Sequence, residues 1–516
     1  MAMSSLAANF TIPSLQDIID SSNDPTKLLS TLSPIGIALL VGALAYRALS
    51  SKDKSNVRQL GGIPVFTAWT FFTKRYDFLW KNFRSIPDPI FKFKVLQHNV
   101  VAVRGEEARK VFFDAKGLNF NEGYKILMGA APLLKEINVE SSLSEDDTSW
   151  FNKQILTLLN RPRLSDMLPS LMADIDRRAQ LWGKEGKMDP FKNIYDLVFQ
   201  MTVRMATCRE LAEDLDAIKE LQQLYWTLEK SSTPQALLLP WFPSRSKRNK
   251  EKATKALFVK LYGIVEMRRN ASVPSSDAID VMISHGHSTE SIVGFVLAVV
   301  FAGVINTGIT ACWNIVYIGM HPEWREKVKA EVDSLLSKYM VDPSEPLHKR
   351  LAAIPVSAWD DEMPVFDSVI RESMRLAFTG AALRRNLSEP LDIAGGKVEV
   401  GDFVTYSLAD IHLNPEVYTS PETFDPSRFG PGREEDKKGV FNFLGWGAGR
   451  HPCTGMKIAK LEMKVIVAYM LAGYEYKIVD KDGLPLNALP VPNRNDIHQA
   501  RPAGDPCFVD FKRTVS

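Results

Sequence analysis

One cysteine stands where its surroundings could make it reactive. Residues Trp446-Gly447-Ala448-Gly449-Arg450-His451-Pro452-Cys453-Thr454-Gly455 crowd three glycines around Cys453. Glycine reaches backbone conformations closed to other residues and, lacking a Cβ, lets the chain lie close against a flat partner. From Gly455 to Met470 the apolar residues recur at helical spacing, so Cys453 falls just ahead of a predicted helix N-terminus. Backbone N–H groups and the helix dipole favour an anion there, which suits a thiolate able to hold a soft metal. The plainer alternative is a glycine-rich turn around a structural cysteine. Cys208, Cys312 and Cys507 are irregularly spaced and make neither a disulfide framework nor a CxxC clamp, as expected in a reducing compartment.

A second group combines charge with order along the chain. Glu372 and Arg375 sit three apart on a predicted helix from Val365 to Leu376, where they can pair. Alone that spacing is uninformative, since Glu266 and Arg269 repeat it. It is followed, however, by Pro421-Glu422-Thr423-Phe424-Asp425-Pro426-Ser427-Arg428-Phe429 and then by the cysteine loop. Upstream, Ser291 to Gly319 carries no charge over 29 residues and contains Phe301-Ala302-Gly303-Val304-Ile305-Asn306-Thr307. Such a run is either a membrane span or the central helix of a large folded body.

Elements able to position these residues are mostly helical. Apolar stripes backed by charge run through Ala253 to Arg268, Glu323 to Tyr339, Val365 to Leu376 and Gly455 to Met470. Strand patterning clusters at Leu391 to Ser407 around a Gly395-Gly396 turn. The expected class is mainly α with small β-sheets. The chain has 516 residues, 63 Lys+Arg against 61 Asp+Glu and a net charge of +2, which excludes bulk attraction to nucleic acid. Its 45% hydrophobic content excludes disorder.

Leu28 to Tyr46 is uncharged for 19 residues, about enough to span a bilayer. Asp17, Asp20, Asp24 and Lys27 precede it, while Arg47, Lys52, Lys54 and Arg58 follow, so the positive-inside tendency keeps the bulk of the chain cytosolic. The organisation expected is a lumenal segment 1–27 bearing the sequon Asn9-Phe10-Thr11, an anchor 28–46, a basic Gly/Pro linker 47–64 and one catalytic domain 65–516. Trp241 and Phe242 beside Arg245, Lys247, Arg248 and Lys250 could rest on anionic lipid or form a solvated loop.

The Glu-x-x-Arg pair, the 421–429 segment and the cysteine loop, in that order along the chain, resemble the signature motifs of the cytochrome P-450 superfamily, in a microsomal, fungal-type form. The resemblance implies a single large catalytic fold holding haem b, with Cys453 as the axial thiolate that promotes O–O cleavage. Trp446 stands where Phe is usual and would back the sulfur; Gly449 and Gly455 would shape the loop; His451, where Arg is usual, would reach a haem propionate. Arg385, preceded by Arg384, is expected at the other propionate, and Trp150 matches the tryptophan of a Trp-x-x-x-Arg helix in which Gln154 replaces the arginine. Glu372, Arg375 and Arg428 would form a buried ion network. Gly303, Asn306 and Thr307 would form the oxygen pocket, although Ile305 stands where an acid is common and Asn306 where Thr is usual. The Asn-Thr pair is similar to that of sterol 7α-hydroxylases, and Asn here with a Trp-Gly-Ala-Gly loop is similar to prostacyclin synthase.

The same resemblance implies O2 and a hydrophobic small molecule as substrates, of a terpenoid, polyketide or alkaloid kind. It also implies NADPH-derived electrons from NADPH-cytochrome P-450 reductase and an endoplasmic reticulum membrane location. Arg433, Lys437, Lys438, Arg450, Lys457, Lys460 and Lys464 would offer that reductase a basic face. Substrate contacts are expected between Gly117 and Leu143, including Phe120 and Tyr124, and from Thr379 to Leu383. A reductase-independent isomerase or dehydratase acting on a peroxide, and a non-catalytic haem sensor, remain as alternatives.

Overall fold

A computed structural model describes residues 56–127, 148–231, 233, 242, 244–273, 275–339, 342–496 and 500–515. The expected lumenal segment, membrane span and Asn9 sequon lie outside the described residues, as does most of the substrate loop after Leu127. The remainder is mainly helical with small sheets, as expected.

The uncharged run forms one helix, Thr289–Met320, started by Ser288, whose hydroxyl accepts the N–H of Ser291 at 3.2 Å. It is the one helix among the described residues long and apolar enough to cross a membrane, yet every residue from Thr307 to Ile318 is buried in protein. The apolar surface that looked membrane-spanning is covered instead by helices Pro190–Ala206, Arg245–Arg269, Pro364–Ala377 and Met456–Gly473. A helix apolar all round is stable at the centre of a large core for the same reason it would be stable in lipid.

Five strands flank this helical body: β1 (Ile90–Val95), β2 (His98–Val103), β3 (Leu118–Asn119), β4 (Ala381–Asn386) and β5 (Phe403–Ser407), in the order β1-β2-β5-β4-β3. Only β2 and β5 run parallel, pairing Val100 with Phe403 through Val103 with Tyr406. The expected strands near Gly395-Gly396 appear as a separate hairpin, Leu391–Ile393 with Gly396–Val398. A third sheet, Tyr474–Val479, Phe508–Arg513 and Glu185–Met188, ties the C-terminus to the middle of the chain.

A buried ion network fixes the segment that leads from the helical body to the cysteine loop. Arg375 on helix Pro364–Ala377 grips Glu372 with two bonds of 2.8 Å, and Arg428 adds a third at 3.1 Å. The backbone N–H of Asp425 donates to the same Glu372 oxygen at 2.9 Å, and Arg428 continues to Glu435 at 2.7 Å. Glu372, Arg375 and Arg428 are all 0% exposed. The guanidinium of Arg375 also donates to the backbone carbonyls of His412 and of Pro421, the latter at 2.6 Å.

Just beyond that network a neutral imidazole acts as a bolt. His412 receives the N–H of Leu444 on Nε2 at 3.0 Å and reaches the carbonyl of Phe378 with Nδ1 at 2.8 Å. Accepting on one nitrogen and donating on the other requires the uncharged ring. Burial, followed by the positive charges of Arg375 and Arg109, lowers its pKa to about 3, although the Phe378 carbonyl works in the other direction.

Glu372→Gln leaves two buried guanidiniums short of a counter-charge and should cost about 3–5 kcal/mol of unfolding free energy. Lys460→Ala, which breaks a half-buried pair with Asp367 of 2.7 Å, should cost under about 1 kcal/mol, both measured by urea titration. For His412 the unfolded ring takes up a proton near 6.5 and the folded ring only near 3, so its stabilisation is complete above about 6.5 and fades as pH falls, by about 1.4 kcal/mol per unit. Glu229 and Glu462, held neutral up to about 8 by burial, act with the opposite sign. The measurement is therefore the difference in the pH 7 to 5 slope of stability between the unaltered chain and His412→Asn, with the unaltered chain losing more.

Candidate active site

The cysteine loop is a tight hairpin that only glycine permits at its corners. Gly447 and Gly449 have φ of +71° and +57°, in the left-handed region. A Cβ on Gly449 would lie 2.3 Å from the Phe113 carbonyl oxygen, and one on Gly447 2.4 Å from that of His451. Gly447–Ala448 pair antiparallel with His451–Pro452, and Arg450 donates its N–H to Phe113 at 3.1 Å. Cys453 donates its own N–H back to Trp446 at 2.7 Å, and Gly455 then caps helix Met456–Gly473. Trp446 itself is half-buried against the main core.

Cys453 alone among the four cysteines is exposed. Burial pushes the thiols of Cys208 and Cys507 up to about 12 and that of Cys312 well above its ordinary value. Protein packed around Cys453 also raises its pKa, opposed by the backbone N–H of Gly455. The helix terminus thus acts in the expected direction but does not by itself produce a thiolate. A bound metal cation would, because coordination deprotonates a thiol outright.

Positive charge is concentrated beside this loop. His451 is half-buried, its ring centre 5.4 Å from that of Phe120, and Arg384 lies over the same Phe120 ring at 4.8 Å. Burial and the positive charges of Arg384 and Arg450 lower the His451 pKa. Arg384 is 3% exposed, and its Nε has no hydrogen-bond partner among the described residues. An orphaned buried donor is costly, and an acid placed between Arg384 and His451 would satisfy it. The residues present therefore fit a haem carboxylate.

Arg385, expected at a propionate, faces elsewhere, and Arg384 is the arginine beside His451. Successive strand residues face opposite ways, so on β4 Arg385 turns from the loop, pairs with Glu122 at 3.0 Å and lies over Phe403. Phe120 and Tyr124, expected at substrate, stack on each other at 4.6 Å, with Phe120 against His451 at the carboxylate end. Trp150 begins helix Thr148–Leu158 and sets its ring edge-on against His287 and Phe295, at 5.4 and 5.9 Å. From the same helix Asn152 accepts the Thr454 hydroxyl at 3.4 Å.

On the central helix the exposed residues between Ser291 and Met320 are Ala298, Ala302 and Asn306, one turn apart. Their stripe and the exposed Cys453 belong to elements packed on one another, with the helix after Cys453 lying against the central helix. Gly303 and Thr307, expected in the oxygen pocket with Asn306, belong to a different stripe, since consecutive helical residues are rotated by about 100°. A Cβ on Gly303 would meet Thr202 of helix Pro190–Ala206 at 3.1 Å, and Thr307 is 6% exposed. Gly303 is thus packing space for a neighbouring helix, and Ala302 is the small residue on the open face. Stepping four residues back from Asn306 would have found Ala302 in the sequence.

The basic face is smaller than expected. Lys464 is 1% exposed, donating to the Trp359 carbonyl at 2.6 Å and pairing with Asp367 at 2.9 Å, so it is a core cation and no docking residue. Lys460 pairs with Asp367, Arg433 with Asp425 and Glu435, and Lys437 with Glu434. Arg450, Lys457 and Lys438 are exposed. Lys153 joins Arg450 and His451 in lining a cleft of about 740 Å³ with Ser149, Asn152, Leu156 and Thr157.

Comparison with known proteins agrees with this geometry. A family model described as Cytochrome P450 matches residues 184–494. The chain is 29% identical to cytochrome P450 monooxygenase AacuE of Aspergillus aculeatus over 82% of this chain and 86% of that one. It is also 29% identical to cytochrome P450 monooxygenase nsrP of Aspergillus novofumigatus, over 87% and 89%, and 24% identical to a sterol 14-demethylase of Arabidopsis thaliana, over 89% and 94%. In fold it is similar to a retinoic acid-bound cyanobacterial CYP120A1, with a TM-score of 0.68, 20% identity, and coverage of 89% of this chain and all of that one. With more than half its length matched by the family model and an accessible cysteine at the head of its loop-capped helix, the chain belongs to the cytochrome P450 family and is a monooxygenase of that family.

Proposed function

We propose that this chain is a membrane-anchored monooxygenase of secondary metabolism, hydroxylating or epoxidising a hydrophobic small molecule with O2 and electrons passed from NADPH by NADPH-cytochrome P-450 reductase. The observation that carries the reading is the accessible Cys453 at the head of its helix, packed against a central helix whose open face is Ala298, Ala302 and Asn306. Fungal relatives named as cytochrome P450 monooxygenases support the reaction class, and a terpenoid, polyketide or alkaloid substrate is the corresponding proposal.

Haem, when bound, supplies the redox centre at which O2 is reduced and one oxygen atom passes to substrate. The chain's residues do the rest. Cys453 would hold the iron, with Trp446 behind it, and Arg384 and His451 would hold the carboxylates. Trp150, Gly449 and Gly455 complete the proposed cofactor surround. Ala302 leaves room above the iron side. Asn306 can donate and accept hydrogen bonds but does not relay a proton, so protons must travel on ordered water beside its amide. Arg450, Lys457, Lys438 and Lys153 would draw an acidic flavoprotein to the cysteine side of the molecule. The uncharged 28–46 segment would fix the chain in the endoplasmic reticulum membrane with this body in the cytosol.

The ferrous, carbon-monoxide-treated holoprotein should show the strongly red-shifted Soret band of a thiolate-ligated haem, and Cys453→Ser should abolish both that band and turnover. Supplied with reductase, O2 and NADPH, the chain should form products that gain one oxygen; a product isomeric with its substrate and made without NADPH would instead support an isomerase acting on a peroxide. Reversing charge at the cleft with Lys153→Glu and Arg450→Glu should slow reductase-driven haem reduction about tenfold at low salt, less at high salt, and leave the carbon-monoxide spectrum unchanged.

A further inference from the structure

The open face of the central helix is almost wholly apolar. Ala298 and Ala302 are methyl groups one turn apart, half-buried Phe301 and Ile305 flank them, and Asn306 is the polar exception. The nearby hydroxyls of this helix are directed elsewhere. Thr310 donates to the backbone carbonyl of Asn306 at 2.8 Å, and Thr307 is buried on the stripe that faces helix Pro190–Ala206. Among the described residues no group donates to or accepts from the Asn306 side chain, which is exposed.

An exposed amide on an apolar helix face bonds to water until a ligand arrives. A purely hydrocarbon ligand would strip that water and leave both a donor and an acceptor unpaired, which weakens binding; a ligand that brings an oxygen to the same point restores the bond. Sites built this way discriminate strongly against analogues lacking the oxygen.

We propose that Asn306 selects substrate: the chain takes flat, largely apolar molecules carrying a ring hydroxyl or carbonyl, bound with that oxygen on the Asn306 amide and the ring over Ala298 and Ala302. The inference rests on the haem-monooxygenase reading and adds to it the chemical class of the substrate. It also makes Asn306 a positioning residue, because anchoring one oxygen fixes which carbon is presented to the cofactor. Two alanines are what a flat ring requires, since any longer side chain at Ala302 would occupy its plane.

The test is equilibrium binding by the haem-loaded full chain, with matched probes that differ only by hydroxyl or methyl: 1-naphthol with 1-methylnaphthalene, and 1-pyrenol with 1-methylpyrene. Each is titrated while the Soret band is followed. Because the members of a pair also differ in hydrophobicity, the quantity of interest is how the hydroxyl-over-methyl affinity ratio changes on substitution. For at least one pair that ratio should fall about tenfold in Asn306→Leu and in Asn306→Ala, the second variant serving if the first does not fold. Ala302→Val should weaken both members alike and leave the ratio in place. A ratio that stays within twofold in both Asn306 variants for both pairs overturns the proposal. Failure of the underlying haem reading is distinguishable, because the protein would then show no thiolate-type Soret band to follow.

Discussion

A single buried carboxylate governs how this molecule is put together. Glu372 accepts from two guanidiniums and one backbone N–H at once: Arg375 comes from its own helix, Arg428 and the Asp425 N–H from the 425–428 segment, and Arg428 carries the network on to Glu435. Removing an ion from water is expensive, and a buried pair is tolerated only when its geometry is close and its remaining lone pairs are occupied. Glu372 meets that condition. The result fixes a stretch of chain with little regular structure, from Thr419 to Leu444, into one path, and that path delivers the cysteine loop to the central helix.

Two kinds of neutral or orphaned polar group then mark where the chemistry lies. His412 is satisfied on both nitrogens and is purely mechanical. Arg384 has a buried Nε with no described partner, and Asn306 presents an amide with none on an apolar strip. The contrast distinguishes groups that hold the protein together from groups that await something else.

The sequence was most legible where spacing alone carries meaning. Three glycines around Cys453, the three-residue step from Glu372 to Arg375 and an uncharged run of 29 residues each translate directly into the loop, the ion network and the central helix. It was least legible where the answer depends on which way a residue points. Arg384 and Arg385 are adjacent and chemically identical, and only strand pairing with β5 decides which one faces the loop. Gly303 and Thr307 looked like pocket residues until helix Pro190–Ala206 was seen to occupy their side. Lys464 resembled its surface neighbours because one residue of rotation separates an exposed helix face from the core. Most of the sheet was missed as well, since β1 and β4 carry Lys and Arg within strands that a simple alternation rule passes over.

The hydrogen bonds around the Cys453 hairpin have a bearing on biosynthesis. Arg450 is tied to Phe113, Leu444 to His412, and Thr454 to Asn152, so the loop is stitched to residues separated from it by as few as 32 and as many as about 340 positions. A ribosome must pass residue 454 before those partners can meet, and contacts of such long range close slowly. The nascent chain consequently has no place for its prosthetic group until the segments carrying Phe113, Asn152, His412 and the loop have all been made, and losing the chain from Leu444 onward removes that place entirely.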